Sequence, residues 1–356
     1  MSIHQPAERV NGSYVGAPVK RVNDRKLITG HGRYVDDVKL PNTLHCVFVR
    51  SPHAHANIVS IDTSAALALP GVVAVVTGEE VTGWMKPEVS HETLLPGRHL
   101  SRYPLSSGRV RFVGDAVVAV LAESLPIARD AADLVEVTYE ELPFVIRQDD
   151  ALEADAPIIY DGWDSNAAWH WHVESGDVDA AFENPHAVVK VDLLYQRVAS
   201  IFIEGRAILA DWDPNREEMT IWVSSQAPHR VRTTIAGQLG IPENAIRAIA
   251  PDVGGGFGSK GSVYPEYQFA AAASYKFGRP VKWLETRSEH MATTNHGRDQ
   301  IQHLEAAVSK DGVIEGLRVR ILSNCGAYGG ATVGQRTGIM STGPYRIRNL
   351  RTDVYG

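Results

Sequence analysis

The stretch DVGGGFGSKG, Asp252 to Gly261, carries five glycines in ten residues, with Phe257 and Lys260 as its large side chains. Clustered glycines let a backbone turn sharply or let a ligand approach its N–H groups, at an entropic cost that an ordinary turn does not need. A phosphate-cradling P-loop requires Gly-Lys-Ser/Thr, but Ser259 separates Gly258 from Lys260 and Gly261 follows, so that pattern fails. A dinucleotide fingerprint is met by spacing: Gly256, Gly258 and Gly261 read GxGxxG, and Glu285 stands 285 − 261 = 24 residues further on. Its flanks are poor, because Pro251 and Asp252 interrupt the preceding strand and Pro265 falls where the helix should already be running. A third chemistry is a loop that presses its backbone and Phe257 against a large cofactor. Gln226 supports it: this residue closes the apolar run MTIWVSSQ just before Ala227-Pro228 opens a helix, where α/β folds place ligands. An uncharged amide there can donate to a metal oxo group. A tight strand-to-helix turn and an exposed amide remain the plain alternatives.

The elements around these residues follow from periodicity. AVVKVDLLYQRV and MTIWVSS read as strands, and PHRVRTTIAGQLG as a helix with Val231, Ile235 and Leu239 on one face and Gly240 as its stop. PENAIRAIAPDV begins with a turn and becomes a strand, YPEYQFAAAASYKFG is an Ala-rich helix, and PVKWLETR and LRVRILSN are further strands. Upstream, LHCVFVRS, GVVAVVTG and RVRFVGDAVVAVLAES, the last broken at Gly114-Asp115, are β-rich, and a helix begins near Pro126. The expected organisation is α+β: a flexible segment 1–24, an α/β unit 25–147, an acidic linker 148–166 and a mixed α/β domain 167–356. The closing LRTDVYG reads as a strand that must either dock into a sheet or have been cut.

Composition excludes several classes. The net charge is 35 − 42 = −7, a poor match to non-specific nucleic-acid binding. Cys46 and Cys325 form neither a disulfide framework nor a zinc ribbon, and reduced thiols fit a cytoplasmic location. MSIHQPAERVNGSYVG has no apolar core of a Sec-type signal, and no run reaches the eighteen apolar residues of a membrane span.

Other chemistry-bearing residues have bland readings. His53 and His55 at i, i+2 are expected on one strand face as a structural pair, since no third metal ligand is near. Trp169, His170, Trp171 and His172 alternate, which puts both tryptophans on one packed face. Glu285, Arg287 and Glu289 read most simply as a solvated charge ladder, and Cys325 as a buried thiol.

Taken together, GGGFGSK, the helix start SSQAPHR and the blocks KWLETRSEH and NHGRDQ resemble the molybdenum-binding subunit of the xanthine dehydrogenase/aldehyde oxidase family, in its carbon monoxide dehydrogenase large-chain type. RKLITGHGRYVDDVKLPNTLHCVFVRSPHAHANI and RVRFVGDAVVAVLAES resemble that family's hammerhead domain, so the resemblance runs from about Arg21 onward. It implies a molybdenum hydroxylase that binds a molybdopterin dinucleotide, commonly the cytosine form. Such an enzyme takes oxygen from water and passes electrons to 2Fe–2S and FAD groups on partner subunits. It also implies cofactor contacts at Gln226, beside a molybdenum oxo ligand, and at Gly255, Gly256, Phe257 and Gly258. In purine-oxidising members a glutamate follows the loop lysine; here Gly261 does, and Glu266 has no counterpart in that motif. Carbon monoxide, aldehydes and aromatic N-heterocycles are the substrate classes left. The family subunit continues for hundreds of residues, so the general base is expected in a C-terminal half outside this chain, and the chain is expected to be inactive alone. A non-catalytic scaffold that docks partner subunits is the rival reading, with an NAD-binding dehydrogenase behind it.

Overall fold

The computed structural model describes residues 13–89, 95, 98, 100–328 and 332–356; the first half of the expected N-terminal segment lies outside them. Among the described residues the strands are β1 (Leu44–Arg50), β2 (Ala56–Asp62), β3 (Val72–Thr77), β4 (Glu88–Val89), β5 (Ser101–Arg102), β6 (Arg109–Val110), β7 (Ala116–Ala122), β8 (Glu136–Glu141), β9 (His170–Ser175) and β10 (Ala187–Val198). They continue as β11 (Ala207–Asp213), β12 (Glu218–Val223), β13 (Ile246–Ile249), β14 (Val281–Leu284), β15 (Gly297–Val308), β16 (Ile314–Ser323) and β17 (Asn349–Tyr355). The helices are α1 (Asp24–Ile28), α2 (Ser64–Leu67), α3 (Gly78–Val81), α4 (Leu125–Ala132), α5 (Val178–Glu183), α6 (Pro228–Leu239), α7 (Pro265–Phe277), α8 (Arg287–Thr293) and α9 (Thr332–Ile339).

A seven-stranded sheet in the order β13-β12-β11-β14-β1-β7-β3 crosses the expected linker. Leu44 to Cys46 on β1 run parallel to Val281 to Trp283 on β14, so the N-terminal unit and the later domain share one sheet. The β7 run AVVAVLA is buried at every position, as a central strand covered on both faces must be. α7 lies against β11 and β14, and Ala270 to Ala273 are fully buried, small enough to bring the helix axis close to the sheet. Both α6 and α7 start with Pro and stop at left-handed glycines, Gly240 at φ 70° and Gly278 at φ 60°.

A second sheet has the order β10-β15-β16-β17-β9, and the closing LRTDVYG docks inside it, parallel to β16 and antiparallel to β9. Trp169 and Trp171 pack into one apolar cluster beneath this sheet, as their alternation predicts. β10 is an edge strand exposed along all twelve residues.

Three local expectations change. His53 and His55 lie in the turn between β1 and β2, not on a strand; His55 is buried with Nδ1 on the Pro143 carbonyl at 2.8 Å, and His53 faces Glu141 at 3.4 Å. Glu285 and Glu289 form no solvated ladder. The Glu285 side chain has no exposure and receives Arg206 Nε at 2.6 Å, while Glu289 receives Arg50 at 2.8 Å and caps α8 through Thr286. Cys325 is half-buried, not buried.

These acids belong to one buried ion cluster. Glu266, at the start of α7, receives Arg50 Nη2 at 2.9 Å on one oxygen and Arg206 Nη1 at 3.2 Å on the other. Arg206 is fully buried and lies 3.9 Å from the Tyr264 ring centroid. Arg50 comes from β1, Arg206 from the approach to β11, and Glu285 from the end of β14, so the cluster ties the shared sheet to α7 and α8. Burial works to raise the Glu266 carboxyl, but the Arg206 and Arg50 charges prevail and hold it below its ordinary 4.5. A carboxylate lowered in the folded state contributes stability above that ordinary value and loses it as pH falls through the folded one. Glu266→Gln is expected to cost about 3–5 kcal/mol at neutral pH by leaving guanidinium charge unpaired. It should also flatten the decline in stability below about pH 4.5. Urea unfolding across pH checks both, and an unchanged acid limb would refute the role given to Glu266.

Candidate functional site

β13 ends at Ile249, and the chain then runs without regular structure through the glycine loop into a short 3-10 turn, Ser259–Gly261, before α7. Gln226 lies beyond the end of β12, in the link to α6, three residues later than its expected position at the strand end. The fold brings the two segments together. Gln226 N donates to the Lys260 carbonyl at 2.9 Å, and Ser225 Oγ donates to the same oxygen at 3.1 Å. Gly258 N–H donates to Gln226 Oε1 at 3.0 Å. A backbone N–H can only donate, so this contact fixes which end of the amide faces the loop, and the Nε2 hydrogens are left for an acceptor elsewhere.

The glycines have identifiable work. A Cβ on Gly256 would stand 2.6 Å from Gln226 Oε1, so only glycine allows this approach. Gly255 and Gly258 take φ of 92° and 95°, in the left-handed half of backbone space. Phe257 between them also has positive φ, at 47°, which costs a non-glycine residue free energy. Its ring is 75% exposed, so packing in this chain does not offset that strain.

Lys260 points away from this surface. Its Nζ is buried and donates to the Glu204 carbonyl at 2.8 Å and to Glu204 Oε2 at 2.9 Å, with the Phe202 ring 4.4 Å away. Glu204 Oε2 also accepts from Gly254 N and Ser224 Oγ, each at 2.7 Å. Burial pulls the Lys260 ammonium down from its ordinary pKa, against the opposing pull of Glu204. Lys260 is therefore the anchor of the loop and no phosphate ligand. At the far end, Tyr264 Oη donates to the Ser259 carbonyl at 2.9 Å, and Ser259 Oγ to that of Asn295 at 2.9 Å. The outcome is an exposed Gln226 amide with its Nε2 hydrogens left over, beside the exposed Phe257 ring, while Gly256 is buried and the Gly258 N–H is spent on Oε1. Such an arrangement suits an electron-rich acceptor group without offering it a competing acid or base.

The dinucleotide spacing has no counterpart in the fold. Glu285, the acid it needs for a ribose, is committed to Arg206, and β13 and β14 are separated in the sheet by β12 and β11. A separate cleft of about 590 Å³ opens past the loop's C-terminal end, lined by Arg50, Arg102, Arg230 and Asn295 but not by Gln226 or residues 255–258.

Sequence reasoning missed Glu204, Arg206 and Asn295 as supports of this site. Arg206 in EGRAILADW and Glu266 in an Ala-rich helix were both charges set in apolar runs, which is the signal that marks a buried ion pair.

Gly258→Ala is expected to lower the unfolding free energy by about 1–2 kcal/mol through left-handed strain. Gly261→Ala, with ordinary φ and nothing within 4 Å of its Cβ position, should stay within about 0.5 kcal/mol. Denaturant unfolding of the two variants separates them, and equal effects would contradict the loop conformation.

Comparison with known proteins identifies the family. Residues 159–356 match the molybdopterin cofactor-binding domain, and residues 29–143 the aldehyde oxidase and xanthine dehydrogenase a/b hammerhead domain. The chain is 40% identical over 318 residues to the carbon monoxide dehydrogenase large chain of Hydrogenophaga pseudoflava, covering 86% of this chain and 39% of that one. It is 32% identical to the nicotinate dehydrogenase large molybdopterin subunit of Eubacterium barkeri, covering 94% of this chain and 76% of the relative. Quinoline 2-oxidoreductase from Pseudomonas putida 86 superposes with a TM-score of 0.88 at 32% identity, covering 95% of this chain and 43% of that structure. The chain thus spans about two fifths of the carbon monoxide dehydrogenase and quinoline oxidoreductase chains. With its hammerhead unit, shared sheet and glycine loop, the chain belongs to the molybdopterin cofactor-binding domain family of the aldehyde oxidase and xanthine dehydrogenase type.

Proposed function

We propose that residues 1–356 supply one half of the active site of a molybdenum hydroxylase. The observation that carries this reading is the exposed Gln226 amide, held by its oxygen on the Gly258 N–H, beside the strained and exposed Phe257. A bound molybdopterin cofactor, in the cytosine dinucleotide form, supplies the two-electron redox chemistry. The chain's own residues position it. Gln226 Nε2 would donate to an oxo ligand of the bound cofactor, while its Oε1 stays on the Gly258 N–H. Gly255, Gly256 and Gly258 hold the backbone close without a Cβ in the way, and the Phe257 ring walls the substrate side.

The rest of the shell, including the catalytic base, comes from polypeptide outside residues 1–356. Support for this comes from the length of the relatives and from β10, whose Leu194 and Tyr195 are 71% and 51% exposed on an open sheet edge. Cys46 sits in the core, and two cysteines cannot supply the four thiolates of a 2Fe–2S cluster, so an iron–sulfur relay would lie outside residues 1–356, with FAD, in our reading on partner subunits. Among the described residues no helix is long and apolar enough to cross a membrane.

The substrate is carbon monoxide, an aldehyde or an aromatic N-heterocycle, and a purine lacks its ring-holding glutamate at this loop. Gly261 follows the loop lysine where a ring-holding glutamate would stand. Glu266, the acid nearest in sequence, is 2% exposed and already held by two arginines.

In the assembled enzyme, Gln226→Ala is expected to keep the subunit composition and lower kcat by about 10²–10³-fold, the usual loss for one preorganised donor. Molybdenum per complex, measured by plasma mass spectrometry, accompanies the kinetics on aldehyde, N-heterocycle and carbon monoxide substrates. Full activity in the variant would defeat the role given to Gln226. Stoichiometric molybdenum and turnover in the isolated 356-residue chain would defeat the two-part site.

A further inference from the structure

The five-stranded sheet carries a second cluster of ligand-type side chains. Trp169 and Trp171 turn into the apolar cluster beneath the sheet, so strand alternation sends His170 and His172 to the opposite face. β17 runs antiparallel beside them, with Asp353 directly across from His172 and Tyr355 across from His170. The Asp353 carboxylate consequently lies between the two imidazoles. Its Oδ1 is 2.9 Å from His170 Nε2 and 2.9 Å from His172 Nδ1, and the ligand atoms of the three residues all lie within 4.8 Å of one another.

We propose that His170, His172 and Asp353 form a three-ligand site for a divalent transition ion of the zinc type, distinct from the glycine loop. Two imidazoles and one carboxylate match the ligand preference of zinc and its neighbours, whereas calcium and magnesium select all-oxygen sets. Metal–ligand bonds of about 2.0–2.2 Å hold tetrahedral donors about 3.3 Å apart, so binding would widen the two 2.9 Å contacts and bring all three ligand atoms, now within 4.8 Å of one another, to that spacing. A fourth position stays open to water, because the three side chains are 31%, 45% and 28% exposed.

Two features hold the ligands in place. The His170 ring stacks on Tyr355, with centroids 4.3 Å apart and planes within 10°, which fixes the plane in which Nε2 points. His172 presents Nδ1 to Asp353 and has its other nitrogen 3.6 Å from Glu174, a carboxylate behind the ring of the sort that orients metal-bound histidines. Glu174 is itself fixed by a two-pronged contact to Arg351 at 3.0 and 2.8 Å. One acceptor oxygen facing two ring nitrogens is satisfied either by two N–H donors or by a single cation, after a tautomer exchange that turns the nitrogen lone pairs inward.

The test is titration of the EDTA-treated full chain with Zn(II) by calorimetry and with Co(II) by its visible d–d absorption. One saturable equivalent is expected, with a tetrahedral-type Co(II) band. His172→Ala and the near-isosteric Asp353→Asn should each weaken binding at least about tenfold. His303→Ala, which removes the exposed partner of Asp192 on a different strand pair, should change nothing. Far-UV circular dichroism confirms that each variant is folded, and His170→Gln replaces any that is not. Absence of a saturable equivalent, or equal affinity in a His170→Ala/His172→Ala double variant, would show that the three residues are only a cross-strand hydrogen-bonded cluster. Neither result bears on the molybdenum site, which none of these residues touches.

Discussion

The rest of the structure hangs on a guanidinium with no solvent around it. Arg206 is buried by Tyr264 and Trp283 and faces two carboxylates, Glu266 and Glu285, whose charges hold it protonated against the cost of burial. Removing any one of these charges strands the others in a medium of low dielectric, so the cluster is sustained only as a whole. Through Glu266 it reaches Arg50 on β1, which makes the hammerhead strands part of the same sheet and the same electrostatic unit as the cofactor-binding domain. Through Tyr264, whose hydroxyl holds the Ser259 carbonyl and the Asn295 N–H, it reaches the glycine loop.

That route explains how a glycine-rich segment can be rigid. Glycines lower the cost of left-handed backbone and of close approach, but they add entropy to the unfolded chain and offer no side chain to pack. The rigidity comes from outside: Lys260 and Glu204 below the loop, Tyr264 and Asn295 behind it, Ser225 and Gln226 beside it. The Lys260–Glu204 ion pair lies on the buried side, and what faces outward at Gln226 and Phe257 is neutral, directional and aromatic, a combination suited to a preorganised electrostatic site.

The second sheet follows a simpler rule with a similar result. A chain that buries Trp169 and Trp171 on one face as it enters β9 has to put the alternate residues on the other, and in WHWH those residues are imidazoles. The register of β17 then decides what they meet, and it delivers a carboxylate. Ligand-type chemistry arises there as a by-product of strand pairing between residues 181 positions apart.

Much of the local structure was legible in the chain. Pro228 and Gly240 bracket α6, and Pro265 and Gly278 bracket α7, because those residues constrain backbone dihedrals whatever surrounds them. The alternation of Trp169 to His172 set its two faces, and the order of GGGFGSK after SSQAPHR identified the family. What local pattern could not supply was partnership across distance. Glu285 and Glu289 alternate with Arg287 as a solvated ladder would, and only the approach of Arg206 and Arg50 from other strands takes them out of water. Gln226 and Gly258 stand 32 residues apart in sequence, and the contact that orients the amide exists because β12 and β13 pair in parallel and bring both loops to one sheet end. Dihedral preference and side-chain period are properties of the residues themselves, so the sequence by itself determined the elements and their faces. Charge burial, amide orientation and ligand convergence depend on which faces meet, and only the tertiary structure decided those.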